Sequence, residues 1–201
     1  MTAKTLRLIL FIALAVAQIA VSARAIILSE IALRHGDVYR FRLQPVDPVD
    51  AFRGRYVALR FAEDRAPVAD EVPHLSQEKV YVPLLVDDEG FATFGSARLK
   101  APEMGDYLYL RSGVDFMDED GERRLSLALP FRRYYMTEEL AKEVDTAMWR
   151  RGIRPAWVTV RIHNGTGVIE DLYIDGRPVR EWLADGGAEA LPASIVDGPR
   201  P

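Results

Sequence analysis

The chain has 201 residues, enough for one domain with a sizeable core but too few for two large ones. Its composition, 49% hydrophobic and 28% charged residues, excludes a wholly disordered chain, a collagen-like repeat and a polytopic membrane protein. Beyond residue 35 the chain carries 22 bases and 29 acids, and this net charge of −7 disfavours nucleic-acid binding. There is no cysteine, which excludes disulfides, thiol catalysis and zinc sites that use sulfur.

The N-terminal segment is long and apolar enough to cross a membrane. Residues 8–28 carry one charge, Arg24, and as a helix rising ~1.5 Å per residue they reach about 31 Å, the thickness of a hydrocarbon core. The apolar helical pattern continues to His35, and Gly36 is typical of the residue just past a helix. The sequence therefore predicts a membrane-anchor helix over residues 1–35, with residues 8–28 in the bilayer.

A cleaved signal peptide is the alternative, because small residues at Val21-Ser22-Ala23 resemble a processing site. The unbroken helical pattern beyond that site favours an anchor. Basic residues lie on both sides of the segment, with Lys4 and Arg7 before it and Arg24, Arg34, Arg40 and Arg42 towards its other side, so charge alone does not settle the orientation. A short basic N-terminus that leads straight into a first hydrophobic segment usually stays cytoplasmic. We therefore expect a single-pass membrane protein whose soluble part lies in the periplasm or otherwise outside the cytoplasm.

After Gly36 the apolar period changes from helical to two, which is typical of half-buried strands. Turn sequences at 87–90, 118–121 and 164–165 predict three hairpins. Thr137 followed by two glutamates predicts an amphipathic helix over about 138–150, and residues 178–184 predict a short one. The strands are predicted at 39–43, 57–61, 80–86, 91–94, 107–111, 125–129, 157–162 and 168–174.

The predicted fold class is therefore α+β and β-rich: an N-terminal transmembrane helix followed by one predominantly antiparallel β domain with one main amphipathic helix. The domain is expected to cover residues 36–185. The glycine, alanine and proline content of residues 186–201 predicts a flexible tail.

Two polar clusters are candidates for a binding site. The first surrounds the proline-stiffened turn before residue 56, and the second follows Phe131. Carboxylates beside guanidinium groups can serve acid–base chemistry or recognise a polar ligand. An Asp50–Arg53 ion pair that braces the start of a strand is the structural alternative. The binding candidates are Asp47, Asp50, Arg53, Tyr56, Arg133 and Tyr134.

Motifs for catalysis or cofactors are absent from the sequence. It contains no G-x-S-x-G, no P-loop and no G-x-G-x-x-G, and its three histidines, His35, His74 and His163, stand far apart. We therefore assign no catalytic residue, no metal site and no cofactor.

The stretch from Gly36 to Phe61 resembles the signature of the GDYXXLXY protein family. A proline–aspartate turn, Pro45-Val46-Asp47-Pro48, leads into Gly54-Arg55-Tyr56-Val57-Ala58-Leu59-Arg60-Phe61. The family pattern reads glycine, aspartate, tyrosine, two residues, leucine, one residue and tyrosine. Here Arg55 replaces the aspartate and reverses its charge, whereas Phe61 replaces the last tyrosine and keeps the ring.

The resemblance extends over most of the chain, through the membrane helix, Arg133-Tyr134-Tyr135 and the closing hairpin to Gly176. It implies an uncharacterised, membrane-anchored bacterial protein of a kind often associated with multi-spanning membrane proteins. It implies no activity.

Three hypotheses about function follow. The first is a membrane-anchored extracytoplasmic accessory or binding module that presents the surface near Asp47 to Tyr56 to a membrane-protein partner. The second is a cell-envelope hydrolase or transferase that uses Asp47 and Asp50 with Arg53. The third is a purely structural assembly component.

Overall fold

The computed structural model describes residues 3–44, 56–69, 72–74, 77–137, 139–141, 144 and 155–185. The predicted tail over residues 186–201 lies outside the described residues. So do three of the predicted binding residues, Asp47, Asp50 and Arg53.

The N-terminal segment forms one helix, α1 (Ala3–His35), as the sequence predicts. Among the described helices, α1 alone is long and apolar enough to cross a membrane, and the most apolar part of it has no buried residue. Gly36 ends the helix, where its N–H donates to the Ala32 carbonyl at 2.9 Å. An exposed pair between Arg34 and Glu30, at 2.7 Å, lies on the last two turns.

Twelve strands follow among the described residues, and all of their pairings are antiparallel, which confirms the predicted β-rich, antiparallel class. They are β1 (Asp37–Gln44), β2 (Tyr56–Ala58), β3 (Arg60–Phe61), β4 (Arg65–Pro67), β5 (Lys79–Val86), β6 (Ala92–Phe94), β7 (Tyr107–Met117), β8 (Arg123–Leu127), β9 (Arg133–Tyr135), β10 (Ala156–His163), β11 (Thr166–Ile174) and β12 (Arg177–Pro178).

The strands form two five-stranded sheets and one two-stranded ribbon. The first sheet has the order β12-β11-β10-β1-β3, and the second has the order β4-β8-β7-β5-β6. The ribbon consists of β2 and β9. A short helix, Val179–Ala184, follows β12, and residues 139–141 and 144 are helical, as predicted.

The three predicted hairpins are confirmed. In the β5–β6 turn, one carboxylate oxygen of Asp87 accepts the N–H groups of Glu89 and Phe91, at 3.0 and 2.9 Å. The hydrogen bond from Phe91, followed by that from Arg42, lowers the pKa of Asp87. In the β10–β11 turn, Asn164 and Gly165 both have positive φ, 46° and 80°. Positive φ at both residues is typical of a two-residue hairpin turn, because it matches the right-handed twist of the two strands.

The segment over residues 57–61 is predicted as one strand, but the structure divides it into two, β2 and β3. Val57, Leu59 and Phe61 are all buried, as their alternation predicts, but the strand changes partners at Leu59. The N–H of Leu59 donates to the carbonyl of Arg132 at 2.9 Å, outside both ladders. As a result β2 belongs to the ribbon and β3 to the first sheet.

Four phenylalanines join the two sheets in the core. Phe41 of β1 lies at their centre, with ring centroids 5.9 Å from Phe61, 6.0 Å from Phe94 and 5.5 Å from Phe131. Phe94 belongs to the second sheet and Phe61 to the first. Aromatic contacts therefore connect the strand that follows α1 to the opposite sheet.

The junction between α1 and the first sheet is held by polar contacts around Gly36. Arg161 of β10 donates to the carbonyl of Gly36 at 3.1 Å and pairs with Glu170 of β11 at 2.7 Å. The last turns of α1 pack against β10 and β11, and Ala32 is fully buried there. The hairpin end of the first sheet is therefore the end that the helix enters.

Candidate functional site

The β2–β9 ribbon carries three of the predicted binding residues. Its register pairs Tyr56 with Tyr135 and Ala58 with Arg133, and Val57 with Tyr134 on the other face. A groove of about 310 Å³ lies against it, which we call the ribbon groove. It is lined by Tyr56, Ala58, Leu59, Arg60, Phe61, Asp64, Arg132 and Arg133.

Tyr56 and Arg133 meet in this groove. The guanidinium carbon of Arg133 lies 4.9 Å from the centroid of the Tyr56 ring, a cation–π contact. The Tyr135 ring lies beside Tyr56, with centroids 5.9 Å apart. A hydrogen bond with Tyr135 raises the pKa of Arg133, so its positive charge is firmly held.

Tyr134 faces the other way and does not reach the ribbon groove. Its hydroxyl donates to a carboxylate oxygen of Asp171 on β11, at 3.0 Å. Burial, and then this hydrogen bond, raise the pKa of Tyr134 to about 12. Tyr134 therefore fixes the ribbon to the first sheet, whereas Tyr56 and Arg133 are available to a ligand.

The ribbon groove holds an excess of positive charge. Arg60, Arg132 and Arg133 line it together with a single carboxylate, Asp64. Within the described part of the chain, none of the three arginines forms an ion pair, and Arg132 donates instead to the carbonyl of Leu127 at 3.0 Å. A carboxylate or another planar anion from a partner would match these guanidinium groups.

A second groove, of about 610 Å³, adjoins the first and shares Arg60 and Asp64 with it. Its charges are balanced, with three arginines and three carboxylates in its lining, and Arg124 pairs with Asp118 at 2.9 Å. The N–H of Glu122 and then Arg124 lower the pKa of Asp118. Of these two grooves, the ribbon groove therefore carries the net positive charge.

Sequence reasoning missed Arg60, although a signal for it was present. Arg60 stands between the buried Leu59 and Phe61, so the alternation places its side chain outward. Its position beside Arg132 depends on the hydrogen bond between Leu59 and Arg132, which joins segments about 70 residues apart. No group of three histidine or acidic side chains is placed for metal binding within the described residues.

The model of the GDYXXLXY protein family matches residues 18–172, more than half of the chain. The chain belongs to this family. No curated protein and no solved structure matches the chain.

The motif of this GDYXXLXY protein runs from the groove into the core. Tyr56 lines the ribbon groove, Leu59 is buried, and Phe61 packs edge-on against Phe41 and Phe131. The side chain of Phe61 is 3% exposed and is surrounded by aromatic rings. This environment suits a ring without a hydroxyl group, because a buried hydroxyl would need a hydrogen-bond partner. Arg55, the other departure from the family pattern, lies outside the described residues.

A polar contact between a tyrosine and a carboxylate joins the two sheets of the GDYXXLXY protein near α1. The Tyr39 hydroxyl of β1 donates to a carboxylate oxygen of Asp106, just before β7, at 3.0 Å. Burial raises the pKa of Asp106, and the neighbouring Asp37 carboxyl raises it further, against the hydrogen bond from Tyr39 and the field of His163. Burial and the contact with Asp106 raise the pKa of Tyr39 to about 12.

Replacing Asp106 with asparagine is expected to change the pH dependence of stability. A carboxyl whose folded pKa is raised contributes stability fully below its unfolded pKa, and that contribution is lost as pH rises through the folded pKa. Wild-type protein should therefore gain stability relative to Asp106→Asn as pH falls from neutral toward the ordinary carboxyl range. Thermal unfolding of both proteins over a pH series measures this difference.

The lowered pKa values of Asp87 and Asp118 act in the opposite direction, because their contributions are lost as pH falls. Both groups are present in wild type and variant, so their effect cancels in the comparison. Parallel pH profiles for the two proteins would contradict the role assigned to Asp106.

Proposed function

We propose that this protein is a membrane-anchored, extracytoplasmic accessory module that binds a membrane-protein partner through the ribbon groove. The observation that carries the proposal is the set of three guanidinium groups, Arg60, Arg132 and Arg133, which have no carboxylate partner within the described residues and line one open groove. Helix α1 supports the anchor by its length and composition.

The chemistry of the groove favours recognition of an acidic segment. Arginine forms paired hydrogen bonds with a carboxylate, and the exposed Tyr135 and half-buried Tyr56 add flat apolar surface beside them. Aromatic and arginine side chains are the types that dominate the binding energy of protein interfaces. A partner segment that carries aspartate or glutamate and extends well beyond the bilayer fits the groove, because Arg60 pairs with Gln44 at the end of β1 that is farthest from α1.

The partner hypothesis is tested by affinity capture of the full chain from detergent-solubilised membranes. Arg132→Glu should abolish recovery of a specific membrane protein, because the reversed charge repels an acidic segment. Lys100→Glu, the same charge change at an exposed residue outside the ribbon groove, should leave recovery unchanged. Equal recovery with both variants, or no membrane protein with wild type, would contradict the proposal.

The side of the membrane on which the domain lies is tested separately. Because the chain has no natural cysteine, a single introduced cysteine is the only thiol that can be labelled in it. A single cysteine at Met117, which is 63% exposed at the end of β7, is treated with a membrane-impermeant maleimide in spheroplasts. We expect labelling without lysis. Labelling only after lysis would place the domain in the cytoplasm.

A further inference from the structure

An uncovered face of the second sheet combines tyrosines with basic residues. Side chains that point outward from β5 and β7 form this surface, which we call the tyrosine face. It consists of Lys79, Tyr81, Pro83, Tyr107, Tyr109 and Arg111. The register pairs Lys79 with Arg111, Tyr81 with Tyr109 and Pro83 with Tyr107.

The three tyrosine rings form one connected cluster. The Tyr81 ring stacks on Tyr109 with centroids 4.5 Å apart and meets Tyr107 at 5.4 Å. The Lys79 ammonium lies 4.9 Å from the centroid of Tyr109. Tyr109 remains 40% exposed, so the cluster is an open surface and not part of the core.

The charge on this face is of one sign. Lys79 and Arg111 stand directly opposite each other, and like charges in this arrangement destabilise a sheet. Neither forms an ion pair with a described residue, and Arg98, opposite Tyr81 on the other edge, adds a third cation. The outward positions of the face carry no carboxylate, although the soluble part of the chain is acidic.

The face adjoins the end of the domain that α1 enters. The Tyr109 N–H donates to the Gly165 carbonyl at 2.9 Å, in the turn of the β10–β11 hairpin. Asp37, the residue after Gly36, pairs with Ile162 in the same hairpin, so the turn lies just beyond the end of the helix. A side-chain carbon at Gly165 would stand 2.7 Å from the Cβ of Tyr109, so the turn fits tightly against the face.

The distance to the bilayer is short. Eight residues separate Leu28, the end of the apolar stretch, from Gly36, and as a helix they rise about 12 Å. The headgroup layer occupies roughly 5–7 Å of that distance. Tyrosine and basic side chains are the types that proteins place at this interface, the cations against anionic headgroups.

From this arrangement we propose that the tyrosine face docks on the anionic headgroups of the membrane that holds α1. This inference rests on the membrane anchor proposed above. Lys79, Arg98 and Arg111 supply the attraction to lipid phosphates, and the tyrosines lie among the headgroups. The ribbon groove, formed by other strands, stays free for the protein partner.

The test uses the full chain in lipid nanodiscs with a headgroup-linked fluorescence quencher. A single labelled cysteine replaces Leu85, which is 55% exposed at the end of β5 beside the face. The matched control label replaces Ala184, which is exposed at the end of the short helix after β12 and so belongs with the opposite sheet. Discs of phosphatidylcholine alone are compared with discs in which a third of the lipid is phosphatidylglycerol.

We expect stronger quenching at position 85 than at 184, and only in the anionic discs. Lys79→Glu combined with Arg111→Glu should lower the ratio of docked to undocked protein at least about 25-fold, at about fivefold per cation. Arg65→Glu combined with Arg177→Glu, the same charge change at two exposed residues outside the face, should preserve the quenching.

Each other outcome overturns the inference in a distinct way. A chain that does not insert into the discs overturns the anchor and the docking with it. An inserted chain whose two labels are quenched equally, or as strongly in neutral discs, overturns the docking alone. A photo-crosslink from position 85 to a protein in native membranes, without lipid-dependent quenching, would assign the face to a protein partner instead.

Discussion

Replacing Phe41 with alanine is expected to lower the free energy of unfolding by about 3–5 kcal/mol, because a buried ring is lost and a cavity remains. Phe41 is 1% exposed and touches three other phenylalanine rings that belong to both sheets and to the segment before β9. The change in midpoint of thermal unfolding, followed by near-ultraviolet circular dichroism of the full chain in detergent, measures the loss.

Tyr135→Ala provides the matched control, since it also removes an aromatic ring, but one that is 69% exposed on β9. Surface substitutions of this kind change stability by about 0.5 kcal/mol or less. If the two variants lost similar stability, Phe41 would not hold the sheets together as the contacts indicate.

The second large effect is expected at Gly36, where the helix meets the first sheet. A Cβ atom at this position would lie 2.5 Å from the carbonyl oxygen of Ala32 and 2.8 Å from that of Ile162. Both are backbone atoms, so no side-chain rotation relieves the contact. Gly36→Ala should therefore cost about 1–3 kcal/mol, the range of overpacked cores.

Hydrogen exchange locates this effect as well as measuring it. The amides of Asp37 and Ile162, which face each other across the junction, should exchange faster in Gly36→Ala than in wild type. Gly95→Ala is the control, because the nearest atom to its Cβ would be the Cβ of Pro83 at 3.3 Å, and the Pro83 carbonyl oxygen would lie at an ordinary 3.6 Å. Comparable losses at both positions would show that the junction is not specially tight.

Local patterns were sufficient to predict most of the elements. The turn over residues 87–90 and the Asn164-Gly165 pair carry their own backbone signals, and β5 beside the first turn alternates between buried and more exposed residues. The apolar run before His35 gives α1 its length. In each case the residues that determine the element lie within it or next to it.

Features that depend on distant partners could not be predicted in the same way. The sequence shows Val57, Leu59 and Phe61 as one alternating run, and only the hydrogen bond from Leu59 to Arg132 divides it between two sheets. Tyr56 and Arg133 are both candidates in the sequence, yet nothing in the sequence places the guanidinium group of Arg133 over the ring of Tyr56. Tyr134 belonged to the same cluster, and its bond to Asp171 turns it away.

The tyrosine face could not be predicted for the same reason, because it depends on the pairing of two distant strands. Tyr81 lies on β5 and Tyr109 on β7, and a separation of 28 residues gives no indication that their rings stack. The pairing register decides it, because a shift of one residue would send one of the two rings into the core.

The place where α1 joins the sheet has a mechanical consequence. The helix continues directly into β1, which is hydrogen-bonded on one side to β10 and on the other to β3. Tension applied through the helix therefore loads β1 along its length, so that the six paired residues of its ladder with β10 resist together, whereas the two-residue ladder of β12 would yield after few bonds. Pulling experiments should find the unfolding force higher through the N-terminus than through the end of β12.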